Sequence, residues 1–182
     1  KQMIIAIDGP AGAGKGTLAA RLAEHYNLAK LDTGLLYRAV GMKVVRAGGD
    51  PGDEALAATM ARSLSAADME ADGLRTETAG SAASIVSAYP NVRQALLEFQ
   101  RAFAGNPPGD TAGAILDGRD IGTVVCPDAS AKLYITAAVE VRAGRRYKEL
   151  LARDGVADYD KVLEDMKIRD ARDQGRETAP LQ

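Results

Sequence analysis

The residues of this 182-residue chain that could do chemistry begin with a glycine-rich segment, GPAGAGKGT, at residues 9–17. Glycines let several backbone N–H groups approach one phosphate, because they carry no Cβ atom and tolerate positive φ. The segment nearly matches the phosphate-binding pattern G-x-x-x-x-G-K-[S/T], in which the lysine reaches the β- and γ-phosphates and the hydroxyl holds Mg²⁺. Lys15 occupies the lysine position, Gly16 replaces the hydroxyl residue, and Thr17 supplies a hydroxyl one position later. We therefore predict a site for a triphosphate.

The sequence around this segment favours a strand before it and a helix after it. Residues 3–7 form an apolar run typical of a buried parallel strand, and apolar residues recur at helical spacing from Leu18 to Tyr26. Phosphate would then face a helix N-terminus, which attracts anions. The helix dipole contributes only about 0.3–1 kcal/mol per charge, so we expect the amides and Lys15 to supply most of the affinity. The alternative is an ordinary glycine-rich turn, which the two flanking elements disfavour.

A second motif, ILDGRDIGTVV at residues 115–125, overlaps another apolar run at residues 114–116. Asp117 ends that run, where phosphate-loop folds place an acid near Mg²⁺. The alternative role for Asp117 is a simple helix or turn cap. Arg119 and Asp120 follow in the crevice beyond the carboxyl end of the strand, where ligands collect in open α/β sheets.

A charged stretch, IRDARDQGRETAPL, lies at residues 168–181. Arg169 and Asp173 are four residues apart, as are Arg172 and Arg176, so on a helix the four would cluster on one side. Arginine binds two phosphate oxygens at once, and a carboxylate accepts hydrogen bonds from both hydroxyls of a ribose. The alternative is a solvated helix with surface ion pairs.

The remaining elements predict a parallel sheet covered by helices on both faces, because strands alternate with helices. A third strand is expected at residues 132–136. Helices are expected at residues 35–46 and 54–64, over most of 76–104 with an interruption at Pro90, and twice within 139–174. Four arginines in that last region could belong to a lid over ATP: Arg142, Arg145, Arg146 and Arg153.

Composition excludes several classes of function. The net charge of −2, the 4% aromatic content and the absence of Trp argue against general binding of nucleic acids. One cysteine, Cys126, and one histidine, His25, are too few for an internal disulfide or a zinc site and fit a reducing cytoplasm. No apolar run is long enough to span a membrane. The first residue is Lys1 rather than Met, so we expect a trimmed N-terminus.

Five motifs occur in the order found in one known family, and they cover most of the chain. They are IAIDGPAGAGKGT, LDTGLLYR, SAASIVSAYPNVRQALLEFQRAF, DGRDIGTVV and RDARDQGRETAPL. On these residues the chain resembles the bacterial cytidylate kinases, which are nucleoside monophosphate (NMP) kinases. The resemblance implies a P-loop kinase fold with a core at residues 1–46 and 76–182, a reduced NMP-binding insert at 47–75 and a helical lid at about 142–160. It also implies Mg²⁺-dependent transfer of the ATP γ-phosphoryl group to CMP or dCMP by a cytoplasmic monomer.

The resemblance further implies the residues that contact each ligand. ATP would be held by Gly9, Pro10, Ala11, Gly12, Ala13, Gly14, Lys15, Gly16, Thr17, Arg142 and Arg146. Mg²⁺ would be held by Thr17 and Asp117. The acceptor phosphate would be held by Thr33, Arg38, Arg119 and Arg176, its sugar by Arg169 and Asp173, and its base by Ser84, Arg93 and Asp120, with Tyr37 lining the site. Lys15, Arg119, Arg145 and Arg176 would be catalytic.

Cytosine chemistry independently suits the residues that the resemblance assigns to the base. The 4-amino group of cytosine is a donor, which matches the carboxylate of Asp120, and its O2 and N3 are acceptors, which match Arg93. Uracil presents an acceptor at position 4, so it would leave a buried group unsatisfied at about 1–3 kcal/mol, roughly a 5- to 150-fold discrimination. No dedicated general base is expected, since phosphoryl transfer depends mainly on positioning and electrostatics.

Two departures from the family pattern accompany these expectations. Only about ten polar residues connect residue 64 to Arg75, where the family carries a small β-rich insert, and the family continues past APL with a further strand and helix. Two other functions stay open. One is a kinase for a different nucleoside monophosphate, and the other is a nucleotide-binding switch without transferase activity, although a switch would not need the acceptor motifs.

Overall fold

Four parallel strands form the sheet in the computed structural model, which describes residues 2–182. They are β1 (Met3–Asp8), β2 (Leu28–Asp32), β3 (Gly113–Gly118) and β4 (Ala131–Tyr134), in the spatial order β2-β3-β1-β4. The register places Asp32 beside Asp117 and Asp8 beside Gly118. Because the strands are parallel, their carboxyl ends bring three acidic side chains to one edge of the sheet.

Eight α-helices surround this sheet within residues 2–182. They are α1 (Lys15–Tyr26), α2 (Thr33–Arg46), α3 (Glu54–Arg62), α4 (Ala66–Glu70), α5 (Glu77–Val86), α6 (Pro90–Gly105), α7 (Val139–Asp154) and α8 (Tyr159–Gly175), and a π-helical turn spans Ile121–Val125. N-cap side chains stabilise the first turns of three helices. The side chains of Asp53, Thr76 and Asp158 accept hydrogen bonds from backbone N–H groups in the first turns of α3, α5 and α8. None of these helices is both long enough and apolar enough to cross a membrane.

Helices cover both faces of the sheet, as the sequence predicts. Successive side chains of a strand point to opposite faces. Ala114 and Leu116 of β3 therefore join a cluster with residues of α2, α3, α5 and α6, while Ile115 joins a second cluster with Ala19 of α1. The two clusters anchor the strand ends, and the loops beyond those ends carry the candidate site.

The structure corrects the strand predictions at two places, β2 and β4. The sequence predicted β1, β3 and β4 but missed β2, whose five residues LAKLD follow α1 after a single residue and include the exposed Lys30. Such a short, interrupted apolar run carries a weak periodic signal. β4 was predicted at residues 132–136 but begins one residue earlier and ends two residues earlier, and its four residues are all exposed.

Residues 47–75 contain α3 and α4, and the described residues of this segment include no strand. The segment is tied to α2 by polar contacts. Lys43 pairs with Asp68 at 2.9 Å, and Arg38 donates to the carbonyl oxygens of Leu74 and Thr76 at 2.8 and 3.3 Å. These contacts hold the segment against α2 and the start of α5.

Candidate active site

The glycine-rich loop links β1 to α1 and requires glycine at its first position. Gly9 has φ of 152°, and a Cβ atom there would lie 1.9 Å from the carbonyl oxygen of Ile135. Gly14, with φ of 96°, is the N-cap of α1. The first N–H groups of α1 consequently face the loop, where a phosphate can accept hydrogen bonds from them.

Lys15 is the first residue of α1 and is buried. Its Nζ donates to the carbonyl oxygen of Pro10 at 2.9 Å. Burial and the nearby charge of Arg119 lower the pKa of Lys15 to about 7, against the opposing effect of Asp117. A bound anion would favour the charged form, so the side chain is suited to a phosphate group.

Asp117 lies buried at the end of β3, and its Oδ2 has no hydrogen-bond partner within residues 2–182. Burial and the neighbouring carboxylate of Asp32 raise the pKa of Asp117 to about 6. A buried carboxylate oxygen without a donor beside a second acid suits a cation. Thr17 is exposed in the first turn of α1, as a hydroxyl ligand needs to be.

Asp32 is a site residue that the sequence analysis missed, since it ends the unrecognised strand β2. The sequence feature that could have revealed Asp32 is a short apolar run ending in Asp, similar to the run that ends in Asp117. Arg75 lies 3.7 Å from the carboxylate of Asp32.

An open cleft lies beside the loop, between the N-terminus of α2, α5, α8 and the turn after β3. Nine of the ten residues expected to bind the acceptor line it: Thr33, Tyr37, Ser84, Arg93, Arg119, Asp120, Arg169, Asp173 and Arg176. The tenth, Arg38, lies immediately beside it, because a Cβ atom on Gly80 would be 3.3 Å from both Arg38 Nη2 and Arg169 Nη1.

The three residues predicted to read the base lie together in this cleft. Arg93 and Asp120 form a buried ion pair, and Arg93 Nη1 also donates to the carbonyl oxygen of Ser87 at 2.9 Å. The guanidinium lies 5.1 Å from the centre of the Tyr37 ring, within the range of a cation–π contact. Ser84 Oγ is buried without a hydrogen-bond partner within residues 2–182. The arrangement offers both donors and acceptors to a base.

Arginines concentrate positive charge between the cleft and the loop. Arg119 Nε donates to Asp173 at 3.0 Å, and Arg176 Nε donates to the carbonyl oxygen of Ala179 at 2.6 Å. Arg169 Nε and Arg176 Nη2 are buried and lack a partner within residues 2–182. Burial and the nearby Arg119 lower the pKa of Arg169 to about 10. Such a cluster favours binding of an anion.

Thr33 lies in the cleft and its hydroxyl also makes a contact within the protein. Its Oγ1 donates to the carbonyl oxygen of Asp117 at 2.8 Å, so the hydroxyl joins the start of α2 to the end of β3.

The structure corrects the prediction that four charged residues of the segment 168–181 lie on one side of a helix. Arg169 and Asp173 lie on α8, but α8 ends at Gly175 and Arg176 follows it in an extended conformation. Arg172 does not line the cleft. The backbone N–H of Leu181 donates to the carbonyl oxygen of Asp173 at 2.9 Å, so the segment after α8 folds back and directs Arg176 into the cleft.

Arg142 differs from a solvent-facing lid residue, because it is only 4% exposed. Its guanidinium donates to the carbonyl oxygens of Ala137 and Ala11 at 2.8 and 3.1 Å and to both carboxylate oxygens of Asp170. Arg142, a residue of α7, therefore connects the glycine-rich loop to α8.

The other three arginines of α7 are more exposed. Arg146 contacts Glu77 of α5 and donates to Glu149 at 3.0 Å, while Arg153 pairs with the neighbouring Asp154. Arg145 is exposed. None of these three side chains makes a hydrogen bond or ion pair to the glycine-rich loop within residues 2–182.

Comparison with known proteins agrees with this geometry. The sequence profile of the family described as "Cytidylate kinase" matches residues 5–182. The chain belongs to the cytidylate kinase family. Three similar relatives, each called cytidylate kinase, come from Paramagnetospirillum magneticum (strain ATCC 700264 / AMB-1), at 61% identity, Rhodospirillum rubrum (strain ATCC 11170), at 58%, and Azorhizobium caulinodans (strain ORS 571), at 56%. Each match covers 98% of this chain and 84% of the relative.

Membership of the cytidylate kinase family confirms the resemblance and the enzyme class inferred from the motifs. The chain is an ATP-dependent nucleoside monophosphate kinase. The α/β fold with an all-parallel sheet between helices is also as predicted.

Proposed function

We propose that this cytidylate kinase family member transfers the γ-phosphoryl group of ATP to CMP or dCMP, giving ADP and CDP or dCDP. The observation that carries the proposal is the convergence of two anion-binding regions. The buried, incompletely paired nitrogens of Arg169 and Arg176 belong to residues that line the cleft, and Lys15 of the loop lies close enough to Arg119 and Arg169 for their charges to lower its pKa. Two phosphate-bearing ligands would meet between them.

On the donor side, we assign residues 9–17 to the ATP phosphates. The backbone amides at the start of α1 and the Nζ of Lys15 would bind the phosphates, for which Lys15 must leave the carbonyl oxygen of Pro10. Arg142 would support this site by holding Ala11 in place. Arg145 and Arg146 would reach ATP from α7, with Arg146 exchanging Glu77 for phosphate oxygens.

Magnesium fits the residues expected to hold it. The unpartnered Oδ2 of Asp117 and the exposed hydroxyl of Thr17 are oxygen ligands, which Mg²⁺ prefers. Within residues 2–182 no group of three or more His, Cys, Asp or Glu side chains could hold a metal ion alone. That suits Mg²⁺, which is commonly bound by one or two carboxylates together with substrate phosphates and water. When bound, it would neutralise charge on the phosphate oxygens.

On the acceptor side, we assign the phosphate of CMP to Arg38, Arg119 and Arg176, with Thr33 at the start of α2. Arg169 and Asp173 would bind the sugar hydroxyls. A guanidinium fork binds two phosphate oxygens at once, so the cluster fixes the orientation as well as the charge of the acceptor.

The base would be read by Ser84, Arg93 and Asp120. Arg93 and Asp120 satisfy each other in the structure, so cytosine must offer partners that replace this pair. Its 4-amino group can donate to Asp120, and its O2 and N3 can accept from Arg93. Uracil cannot donate at position 4, which supports selection of cytosine.

Catalysis would depend on alignment and charge rather than on proton abstraction. The transition state of phosphoryl transfer is loose, with charge spread over the phosphoryl oxygens. Lys15, Arg119, Arg145 and Arg176 would stabilise that charge and hold the reacting oxygens in line. We assign residues 142–160 to a lid and 47–75 to a reduced NMP-binding insert, whose closure would exclude water. Action as a monomer in the cytoplasm remains a prediction.

The decisive test is steady-state kinetics of the purified protein with ATP, Mg²⁺ and each of CMP, dCMP, UMP and AMP. We expect CMP or dCMP to exceed UMP by roughly 5- to 150-fold in kcat/KM. Equal turnover of UMP would contradict the assignment of the base-reading residues. Binding of ATP with no CDP formed from CMP would contradict the enzymatic function and favour a nucleotide-binding switch.

Substitution of Lys15 tests the donor loop. Lys15→Met should abolish transfer, because it removes the charge that binds the phosphates, while circular dichroism and the unfolding midpoint should show an intact fold. Lys161→Met, at an exposed position of α8, serves as the matched control and should retain activity. Retained activity in Lys15→Met would exclude the proposed role.

A further inference from the structure

A buried carboxylate outside the assigned site connects its two halves. Asp8 is the last residue of β1 and directly precedes the donor loop. It is 7% exposed. Its Oδ1 accepts from the backbone N–H of Ile121 at 2.8 Å, and its Oδ2 accepts from the N–H of Gly122 at 2.8 Å. The two amides are 113 and 114 residues away along the chain.

These two amides belong to the start of the π-helical turn that follows Arg119 and Asp120. The first N–H groups of a helical turn lack partners within it, and a side chain at the N-cap commonly accepts them. Asp120 is the N-cap here, but its side chain makes no capping hydrogen bond and pairs with Arg93 instead. Asp8 supplies the missing acceptors from another strand, which leaves the Asp120 carboxylate facing the cleft.

The same residue also contacts the donor side. The carbonyl oxygen of Asp8 accepts from the N–H of Ile135 at 2.8 Å, and Gly9 follows it with no room for a Cβ atom against Ile135. The end of β4, the donor loop and the turn carrying Arg119 and Asp120 therefore meet at one residue.

The Asp8 carboxylate forms no ion pair within the part of the chain that the structure describes. Within residues 2–182, no lysine, arginine or histidine nitrogen lies within 4.0 Å of it. Burial raises the pKa of the Asp8 carboxyl, and the two backbone hydrogen bonds oppose that shift. Burial of an acid is unfavourable unless its oxygens accept hydrogen bonds. The hydrogen bonds from the N–H groups of Ile121 and Gly122 are therefore the observation that explains a carboxylate at this position.

We propose that Asp8 is a positioning residue, which aligns Arg119 and Asp120 with the donor loop without touching either nucleotide. The inference rests on the proposed function, because Arg119 and Asp120 are assigned there to the acceptor. Asp8 would then determine how well the enzyme selects its base and orients the acceptor phosphate, while the donor loop keeps its own backbone contacts.

The test compares wild-type protein with Asp8→Asn, which keeps the shape but turns one acceptor oxygen into an NH₂ group facing an N–H. We expect kcat/KM for the acceptor to fall about 10- to 100-fold and the preference for CMP over UMP to shrink. The KM for ATP should stay within about twofold, because the Asp8 carbonyl and Gly9 contacts are unchanged. Asp128→Asn, at an exposed position, should match the wild type in each measurement.

A second variant perturbs the same contact from the other side. A Cβ atom on Gly122 would lie 3.3 Å from Asp8 Oδ2 and 3.2 Å from Lys132 Cδ. Gly122→Ala should therefore reduce base selectivity in the same direction as Asp8→Asn, and it provides the comparison if Asp8→Asn does not fold.

The outcomes separate the inference from the function on which it rests. The wild-type acceptor panel tests the function, and whichever nucleotide the wild type uses best serves for the variants; if none is turned over, calorimetric binding of CMP replaces kinetics. Loss of selectivity or acceptor affinity with ATP affinity retained supports the inference. Unchanged selectivity, or equal losses for ATP and acceptor accompanied by a lower unfolding midpoint, would show that Asp8 only stabilises the fold.

Discussion

Individual side chains of the candidate site are ionisable groups in positions where burial disfavours the charged form. Lys15 and Asp117 show this most clearly, since burial is the main cause of the lowered pKa of Lys15 and the raised pKa of Asp117. Bound phosphates and a cation would favour the charged form of each group. Such strained electrostatics are common where function takes precedence over stability.

Replacement of Asp117 should stabilise the ligand-free protein. The pKa of Asp117 is raised to about 6, so its ionisation in the folded state costs up to about 3 kcal/mol near pH 7.5. A raised pKa means that the folded state binds the proton more tightly, so this group stabilises the fold at acidic pH, and the benefit is lost as pH rises through about 6. Asp117→Asn should therefore resist urea better than the wild type at pH 7.5, with the difference shrinking towards pH 4.

Urea unfolding at several pH values, with the exposed Asp128→Asn as control, checks this expectation. A difference that does not depend on pH, or a less stable Asp117→Asn, would contradict it. Loss of Mg²⁺-dependent transfer in the stabilised variant would show the conflict between stability and function at this position.

Binding of ATP should be accompanied by proton uptake at Lys15. With a pKa of about 7, the ligand-free side chain is mostly neutral at about pH 8, and bound phosphates should restore its charge. Calorimetry in two buffers with different ionisation enthalpies should show uptake approaching one proton per ATP. Lys15→Arg, which stays charged, should take up much less. Equal uptake by the two proteins would assign the proton to another group.

At the scale of elements, the donor loop depends on helices that are distant in sequence. Arg142 of α7 donates to Ala11 in the loop, to Ala137 after β4 and to Asp170 of α8. Removing one partner of a buried ion pair leaves an uncompensated charge, which is strongly destabilising.

Arg142→Met should therefore lower the free energy of unfolding by about 3–5 kcal/mol and raise the KM for ATP by loosening the loop. Arg153→Met on the same helix is the matched control, because Arg153 and its partner Asp154 are about half exposed, and it should unfold like the wild type. Denaturant unfolding and ATP kinetics measure both effects. A normal KM for ATP in a destabilised Arg142→Met would limit Arg142 to a structural role.

Local patterns predicted most elements but not those defined by their neighbours. α1, α7 and β3 have strong periodicity or a glycine boundary, and their predicted and observed positions agree closely. β2 was missed because five residues carry little periodicity and its strand conformation comes from pairing with β3. Arg176 was misplaced on α8 because helical spacing continues through it in the sequence, whereas the helix ends one residue before it.

At the scale of the molecule, an acidic chain presents a positively charged site. The net charge is −2, yet the arginines of α2, α8 and the turn after β3 lie around one cleft beside Lys15. Parallel strands bring their carboxyl ends, and the helix N-termini that follow them, to one edge of the sheet. The fold therefore allows a positive electrostatic potential in the cleft although the net charge of the chain is negative.

The sequence alone predicted the glycine-rich loop and the acid at the end of β3 from residue types at short spacing, and its resemblance to the cytidylate kinases implied the residues that would bind the acceptor. Only the tertiary structure decided which of these groups satisfy one another. Arg93 meets Asp120 across 27 residues, Arg142 meets Ala11 across 131, and Asp8 meets Ile121 across 113. Such partners are set by how the sheet and helices pack, since a residue's chemistry says what it can bind and only the fold says what lies within reach.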